Sequence, residues 1–238
     1  TWRTELGYDL GYSKAEVYNN EINLYNWKEP NESSIQKNNN TFWQLKNYVT
    51  YNNTFAKKHS VTAMLGQECW ESKWDYTKVR NTKLPSDAVH NPVLGTSTAT
   101  IGVGFGSAAM ASFFTRWTYS YDSRYNATYT YRYDGSSNFG PNNRWAGFHS
   151  FATSWRFSNE KFVQAIAGKW LSNGKLRIGW GQTGNSNIKS YVWGINMQPV
   201  YTTLGNGYRP QNIPNLDVKW EKQEQIDLGL DLGFLNDR

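Results

Sequence analysis

The sequence predicts an all-β chain, part of a transmembrane, antiparallel, up-and-down β-barrel with about nine of the barrel's strands. Three observations predict it. Apolar and polar residues alternate with period two over long stretches, most stretches are long, and the links between them alternate between short and long. Period two sends successive side chains to opposite faces of a strand. A tilted strand needs ~9–11 residues to cross a bilayer, whereas soluble strands run nearer ~5–6. Short turns on one side and long loops on the other are the habit of outer-membrane barrels.

The first strand, Trp2–Tyr12, sets Trp2, Thr4, Leu6, Tyr8, Leu10 and Tyr12 against Arg3, Glu5, Gly7, Asp9 and Gly11. Val17–Lys28 is read as a second strand of ambiguous facing, since Asn and Glu interrupt both sides. Trp43–Phe55, His59–Val79 and Ser112–Tyr121 follow. Between Tyr125 and Asp134, the row Tyr125, Ala127, Tyr129, Tyr131, Tyr133 opposes Asn126, Thr128, Thr130, Arg132, Asp134. In Gly147–Phe157, His149, Phe151, Thr153, Trp155 and Phe157 oppose Ser150, Ala152, Ser154 and Arg156. Lys175–Gln182 sets Leu176, Ile178 and Trp180 against Lys175, Arg177 and Gly179. The last strand puts Trp220, Ile226, Leu228, Leu230 and Leu232 on one face and Gln225, Asp227, Gly229 and Asp231 on the other. Tyr125, Tyr129 and Tyr131 are expected to face lipid, and Asn126, Thr128 and Arg132 the lumen.

Short links are expected at Ser13–Glu16, Ala56–Lys58 and Asp122–Ser123, long ones at Glu29–Thr41, Arg80–Ala111 and Asn185–Val218, and a medium one at Ser137–Arg144. Ser158–Asn173 breaks the parity. Phe162, Ile166 and Trp170 recur there at helical spacing, which predicts a short surface helix.

Composition agrees with a barrel. Mean hydropathy is only -0.74, yet 16% of the 238 residues are aromatic, with 12 Trp and 16 Tyr. No run approaches the ~20 apolar residues of a membrane helix. Alternation hides membrane character in a polar average. The net charge of +6 comes from 25 scattered Lys and Arg, densest at Lys57-Lys58-His59, which argues against a nucleic-acid partner. The single cysteine, Cys69, allows no internal disulfide. The chain starts at Thr1 without a leader and stops just after an apolar strand, so it is read as an internal piece. Nine strands have the wrong parity for a closed bacterial barrel, which requires more strands from elsewhere.

Nothing in the sequence carries catalysis, and the chain is read as a non-enzyme without cofactor or metal. Gly102-Val103-Gly104-Phe105-Gly106 lacks the Lys and helix pattern of a phosphate loop and reads as a mobile external loop. Gly181–Asn185 reads as a strand end and turn. His59, His90 and His149 are too dispersed for a metal site. Glu221 and Glu224 fall on opposite faces of a strand, so no acid pair converges.

Several stretches resemble the barrel motifs of the SusC/RagA family of TonB-linked outer-membrane proteins. Arg132-Tyr133-Asp134-Gly135-Ser136-Ser137-Asn138-Phe139-Gly140-Pro141-Asn142-Asn143-Arg144-Trp145 is similar to that family's RxDGSSxFGxxxRW run. Ser154-Trp155-Arg156-Phe157-Ser158-Asn159-Glu160 follows, then Leu176–Asn185, similar to LRxxxGxTGN. Asn215-Leu216-Asp217-Val218-Lys219-Trp220-Glu221-Lys222 resembles NPxLKWE, with Asn-Pro altered to Pro214-Asn215 and Asp217-Val218 inserted. The motifs keep the family's order over residues 110–235.

The resemblance implies that residues 1–238 are part of a C-terminal barrel domain whose N-terminal plug lies outside this chain. It implies the outer membrane, with energised import of an oligosaccharide or peptide coupled to TonB through the missing N-terminal part. It also implies a SusD-like surface lipoprotein as partner. Arg132, Asp134, Gly135, Asn138, Phe139, Gly140, Arg144 and Trp145 have two readings, a glycan-contacting loop or a structural turn, and the turn formers among them favour the structural role. Aromatics at strand ends, such as Trp2, Tyr12, Tyr121 and Trp145, are expected in interfacial girdles. Loop aromatics Tyr191, Trp193, Tyr201 and Tyr208 are the candidates for stacking on a ligand. Two rivals share part of this pattern: a passive porin or adhesin barrel, and a soluble carbohydrate-binding β-sandwich.

Overall fold

Each alternating segment forms a strand, since only pleated backbone sends neighbouring side chains to opposite faces. The computed structural model describes residues 1–25, 27–168 and 170–235. Its long strands are β1 (Trp2–Asn19), β4 (Glu32–Phe55), β5 (His59–Thr82), β6 (Thr100–Tyr121), β7 (Tyr125–Ser136), β8 (Trp145–Trp155), β9 (Leu171–Asn185) and β12 (Glu221–Phe234). Two small ribbons sit in the links: β2 (Ile22–Leu24) with β3 (Trp27–Glu29), and β10 (Met197–Thr202) with β11 (Gly205–Pro210). Among the described residues one α-helix, α1 (Lys161–Ala167), lies between β8 and β9 in the sequence.

The long strands form one antiparallel sheet in the order β1-β4-β5-β6-β7-β8-β9-β12, which is sequence order with the ribbons left out. The up-and-down meander is as expected, and the sheet is not closed on itself. It holds eight long strands rather than nine. The difference lies at Val17–Lys28, where Val17–Asn19 finishes β1 and the rest supplies the β2–β3 ribbon. Ser13–Glu16, expected as a turn, is the interior of β1.

Contacts divide the chain into two units. The first comprises Thr1–Glu5, Leu45–Cys69 and the chain from Ala109 onward; the second comprises Leu6–Gln44 and Trp70–Ala108.

In the first unit the register settles the facing. Phe113, Trp117 and Tyr121 of β6 stand opposite Tyr133, Tyr129 and Tyr125 of β7. Those three tyrosines stand opposite Gly147, Phe151 and Trp155 of β8. Phe151 pairs with Trp180 of β9, and Trp180, Ile178 and Leu176 pair with Ile226, Leu228 and Leu230 of β12. Opposed residues share a face, so one apolar surface runs across five strands. It is bare: Trp117 is 49% and Leu228 75% exposed. A soluble sandwich would bury this surface against a second sheet. The other face carries Ser112, Arg132, Asp134, Asn126, Thr128, Ser154, Arg177 and Asp227. Apolar outside and polar inside is the pattern of a barrel in lipid.

Tight turns join β4 to β5 and β6 to β7. Ala56 and Lys57 have φ of 48° and 57°, and Asp122 and Ser123 of 51° and 55°. Paired positive φ values give the mirror-image turn whose twist suits a hairpin. Lys58 N–H donates to Phe55 O at 3.2 Å and Arg124 N–H to Tyr121 O at 2.9 Å.

In the second unit, strands run into segments expected as links. β4 begins at Glu32, β5 continues to Thr82 and β6 begins at Thr100. Polar side chains support this ladder: Asn38 donates to Ser13 Oγ at 2.9 Å and Asn39 to Asp75 at 2.8 Å. Gly102–Gly106 is strand, not a mobile loop. A Cβ on Gly104 would lie 2.3 Å from the Tyr76 ring, and one on Gly106 2.7 Å from the Trp74 ring. The glycines are there because two aromatic rings of β5 lie across them. The link 83–99 is held at Asp87, which accepts from Tyr18 Oη at 2.6 Å and Asn31 Nδ2 at 3.1 Å. Those two donors, Tyr18 first, hold the Asp87 carboxyl below its usual range.

Candidate functional site

Three groups of side chains in the first unit bear on function. The first lies on the polar face. Arg132 donates through Nε to both Asp134 oxygens at 2.7 and 3.0 Å. Its terminal nitrogen reaches Ser112 Oγ at 2.8 Å and Glu68 at 3.2 Å. Lys46 reaches the same Glu68 at 3.3 Å. These charges therefore tie β4, β5, β6 and β7 together, and the guanidinium rests 5.7 Å from the Phe114 ring centroid. Ser112 and Asp134 are buried. Further along this face, Asn126, Thr128, Ser154, Lys175, Arg177 and Asp227 border an open hollow of about 520 Å³. Arg177 is held there by Asp231 at 2.7 Å.

The second group is the run from Arg132 to Trp145. Gly135 has no room for a Cβ, which would meet the Trp145 ring at 2.6 Å. Trp145 in turn stacks on Tyr133 (centroids 5.1 Å, planes 17° apart). Phe139 is fully buried against Trp220 (5.0 Å). Phe148 meets Trp220 edge-on at 5.5 Å. Met110, Ala146, Ile188 and Val218 close around these three rings, so the inserted Val218 has a packing place. Trp220 Nε1 donates to Arg144 O at 3.1 Å, while Arg144 itself is exposed. Asn138 donates to Ser186 O at 3.1 Å and accepts from Ser190 Oγ at 3.2 Å. Gly140 leaves only 3.3 Å between a Cβ and Leu216 O. The motif loop thus packs onto the 186–220 link. Phe148, which sequence reasoning did not single out, completes the cluster from a place opposite Arg132 on the polar face.

The third group is the loop aromatics, which the structure separates. Tyr201 and Tyr208 lie on one face of the β10–β11 ribbon, because Tyr208 pairs with Pro199, two residues from Tyr201. They are 76% and 75% exposed. Tyr191 is exposed in a turn with φ of 63°. Trp193 packs over Gly140, with its Nε1 buried and without a hydrogen-bond partner.

At the rim of tight turns, Glu160 accepts from Tyr125 Oη at 2.6 Å, Arg124 at 2.8 Å and Trp155 Nε1 at 3.2 Å. The Tyr125 hydroxyl first, then Trp155 and Arg124, hold its carboxyl below the usual range against the opposing effect of burial.

An exposed apolar face backed by a polar, ion-paired one, on long meandering strands, defines part of a transmembrane β-barrel wall. No protein-family profile matches the chain. The TonB-dependent receptor P39 of Formosa agariphila is 29% identical over 246 residues, covering 100% of this chain and 23% of the relative. A second TonB-dependent receptor of that organism is 32% identical, covering 87% of this chain and 21% of its own length. The TonB-dependent receptor SusC of Bacteroides thetaiotaomicron is 39% identical over 139 residues, covering 54% of this chain and 14% of SusC. Among solved structures, the RagAB peptide transporter superposes with a TM-score of 0.90 at 28% identity, over 100% of this chain and 26% of that one. The chain belongs to the TonB-dependent receptors of the SusC/RagA type, as a fragment of the barrel. It spans about a quarter of the length of the relatives that it matches along most of its own length.

Proposed function

We propose that the chain is part of the C-terminal barrel domain of an outer-membrane transporter that imports an oligosaccharide or peptide, with energy supplied through TonB. The observation that carries this reading is the likeness in fold, over the whole chain, to a structure described as a peptide transporter. The ion-paired polar face fits a wall that lines an aqueous path or meets a plug from the N-terminal part of the protein. A surface lipoprotein of the SusD kind is the partner, acting at the long-link side.

Within this reading the chain contributes wall and loops, not chemistry. Arg132, Asp134, Gly135, Asn138, Phe139, Gly140, Arg144 and Trp145 hold the wall and the 137–144 loop. Tyr191, Tyr201 and Tyr208 present rings to cargo at the long-link side. Trp193 has a packing role over Gly140 instead. The test uses the full-length protein in its own outer membrane, with labelled oligosaccharides and peptides supplied outside. Uptake of one class should stop on deletion of the gene and on deletion of TonB. Uptake that persists at the same rate without TonB would identify a passive pore.

A further inference from the structure

At the rim of tight turns, the link 156–170 is far longer than its neighbours 56–58 and 122–124. Phe157 lies over Gly174, where a Cβ would come within 2.3 Å of its ring, and meets Trp155 edge-on at 5.9 Å. Gly174 pairs with Leu232, in the outward row Ile226, Leu228, Leu230, Leu232. Glu160 is bound by Tyr125 and Trp155, which also face outward. The chain therefore enters α1 on the lipid side of the wall and not on the lumen side.

The helix then divides into three faces. Val163 is half-buried and Ala167 buried, four residues apart and turned toward the protein. Phe162 and Ile166, also four apart, are 59% and 83% exposed. Lys161, Gln164 and Gly168 make the third, polar face. Just beyond the helix, Trp170 stacks flat on Phe234 of β12, centroids 5.8 Å apart and planes at 7°. Both rings are exposed. Phe234 follows Ile226, Leu228, Leu230 and Leu232 at every second position of β12, so this stacked pair extends the outward row of that strand.

We infer that α1, with Trp170 and Phe234, is a membrane-interface anchor seated in the phospholipid headgroup–acyl boundary at the tight-turn rim. A helix with an unburied apolar face beside a polar one lies in the plane of that boundary. Trp belongs at headgroup depth, and Lys161 reaches from the stem of the helix to lipid phosphates. The link is long because a tight turn has no apolar surface to offer the bilayer. The inference needs only that the sheet spans a membrane and stands whatever the cargo.

The test places a nitroxide at Ile166→Cys, Phe162→Cys or Gln164→Cys in the full-length protein, with Cys69 and any other native cysteine replaced. The protein is held in nanodiscs of phosphatidylethanolamine and phosphatidylglycerol. Collisions with oxygen and with a water-soluble nickel chelate read the depth of each label. The labels at Phe162 and Ile166 should favour oxygen and sit ~5–10 Å inside the boundary, while the label at Gln164 favours the chelate. Chelate access at Ile166 or Phe162 equal to that at Gln164 overturns the inference, because α1 is then in water. Labels reached by neither reagent also overturn it, because protein then covers the helix. The two apolar sites are independent, so failure of one variant to insert leaves the other to decide.

Discussion

The indole of Trp220 donates a hydrogen bond to the backbone carbonyl of Arg144, 76 residues earlier, at 3.1 Å. That bond fastens the segment leading into β12 to the loop that precedes β8. The same indole packs on Phe139 and Phe148, both buried. Packing and hydrogen bonding can be separated here. Trp220→Ala removes both and should destabilise the folded barrel by about 3–5 kcal/mol, the range for truncating a large buried ring. Trp220→Phe keeps much of the packing and removes one of two donors to the Arg144 carbonyl, which still accepts from Ser136 N–H at 3.1 Å, for a smaller loss of about 0.5–1.5 kcal/mol. Denaturant unfolding of the full-length protein in lipid measures both. Equal losses would mean that the ring contacts contribute little.

Facing has a direct test on β7. Tyr129 belongs to the outward row and Thr128 to the polar face. Tyr129→Arg sets a guanidinium into hydrocarbon, at a cost of about 2–4 kcal/mol near the midplane. Thr128→Arg points into the polar side and should change stability little. Folding into bilayers across a denaturant series gives both numbers, and similar losses at the two positions would reverse the assignment of faces.

These faces were legible in the sequence for a simple reason. Lipid demands one kind of side chain at every second position, so Tyr125–Tyr133 and Ile226–Leu232 declare themselves within a single strand. The outer parts of β4 and β6 have no such demand. Asn38 and Asn39 continue β4 through hydrogen bonds to Ser13 and Asp75, partners 25 and 36 residues away, and no local pattern marks that. Gly104 and Gly106 read as loop residues because the rings they accommodate, Tyr76 and Trp74, sit on another strand. The Phe139–Trp220 contact was only half visible. Family-like motifs contain both residues, but nothing in either motif says that they touch, or that Phe148 joins them.

Glu160 makes a pH prediction whose sign follows from its partners. Tyr125, Trp155 and Arg124 favour its ionised form and lower its folded-state pKa below the ordinary value of 4.5. A carboxyl lowered by folding contributes stability that is fully present above its unfolded pKa. The contribution is lost as pH falls from the ordinary carboxylate range through the depressed folded value. Glu160→Gln can still accept from Tyr125 and Trp155 but has no charge to lose. The unfolding midpoint of the native protein should therefore drop more steeply with acid than that of the variant. Parallel pH profiles would show that the Glu160 charge has no net role at this rim.

Two glycines separate tight packing from mere backbone freedom. A Cβ on Gly184 would lie 2.2 Å from Phe148 Cζ, whereas one on Gly207 would meet nothing within 4 Å. Phe148 cannot swing away freely, because it is buried against Trp220. Gly184→Ala should therefore cost about 1–3 kcal/mol, the usual penalty for overfilling a packed site. Gly207→Ala, in the exposed ribbon, should be neutral or slightly stabilising through lost freedom of the unfolded chain. The clash has a specific remedy: in a Phe148→Leu background the smaller side chain leaves room for the new methyl. The cost of Gly184→Ala should shrink there, which a double-mutant cycle on unfolding free energies reads as coupling between the two sites. Additive losses would place the strain in the backbone of β9 and not in the ring that lies across it.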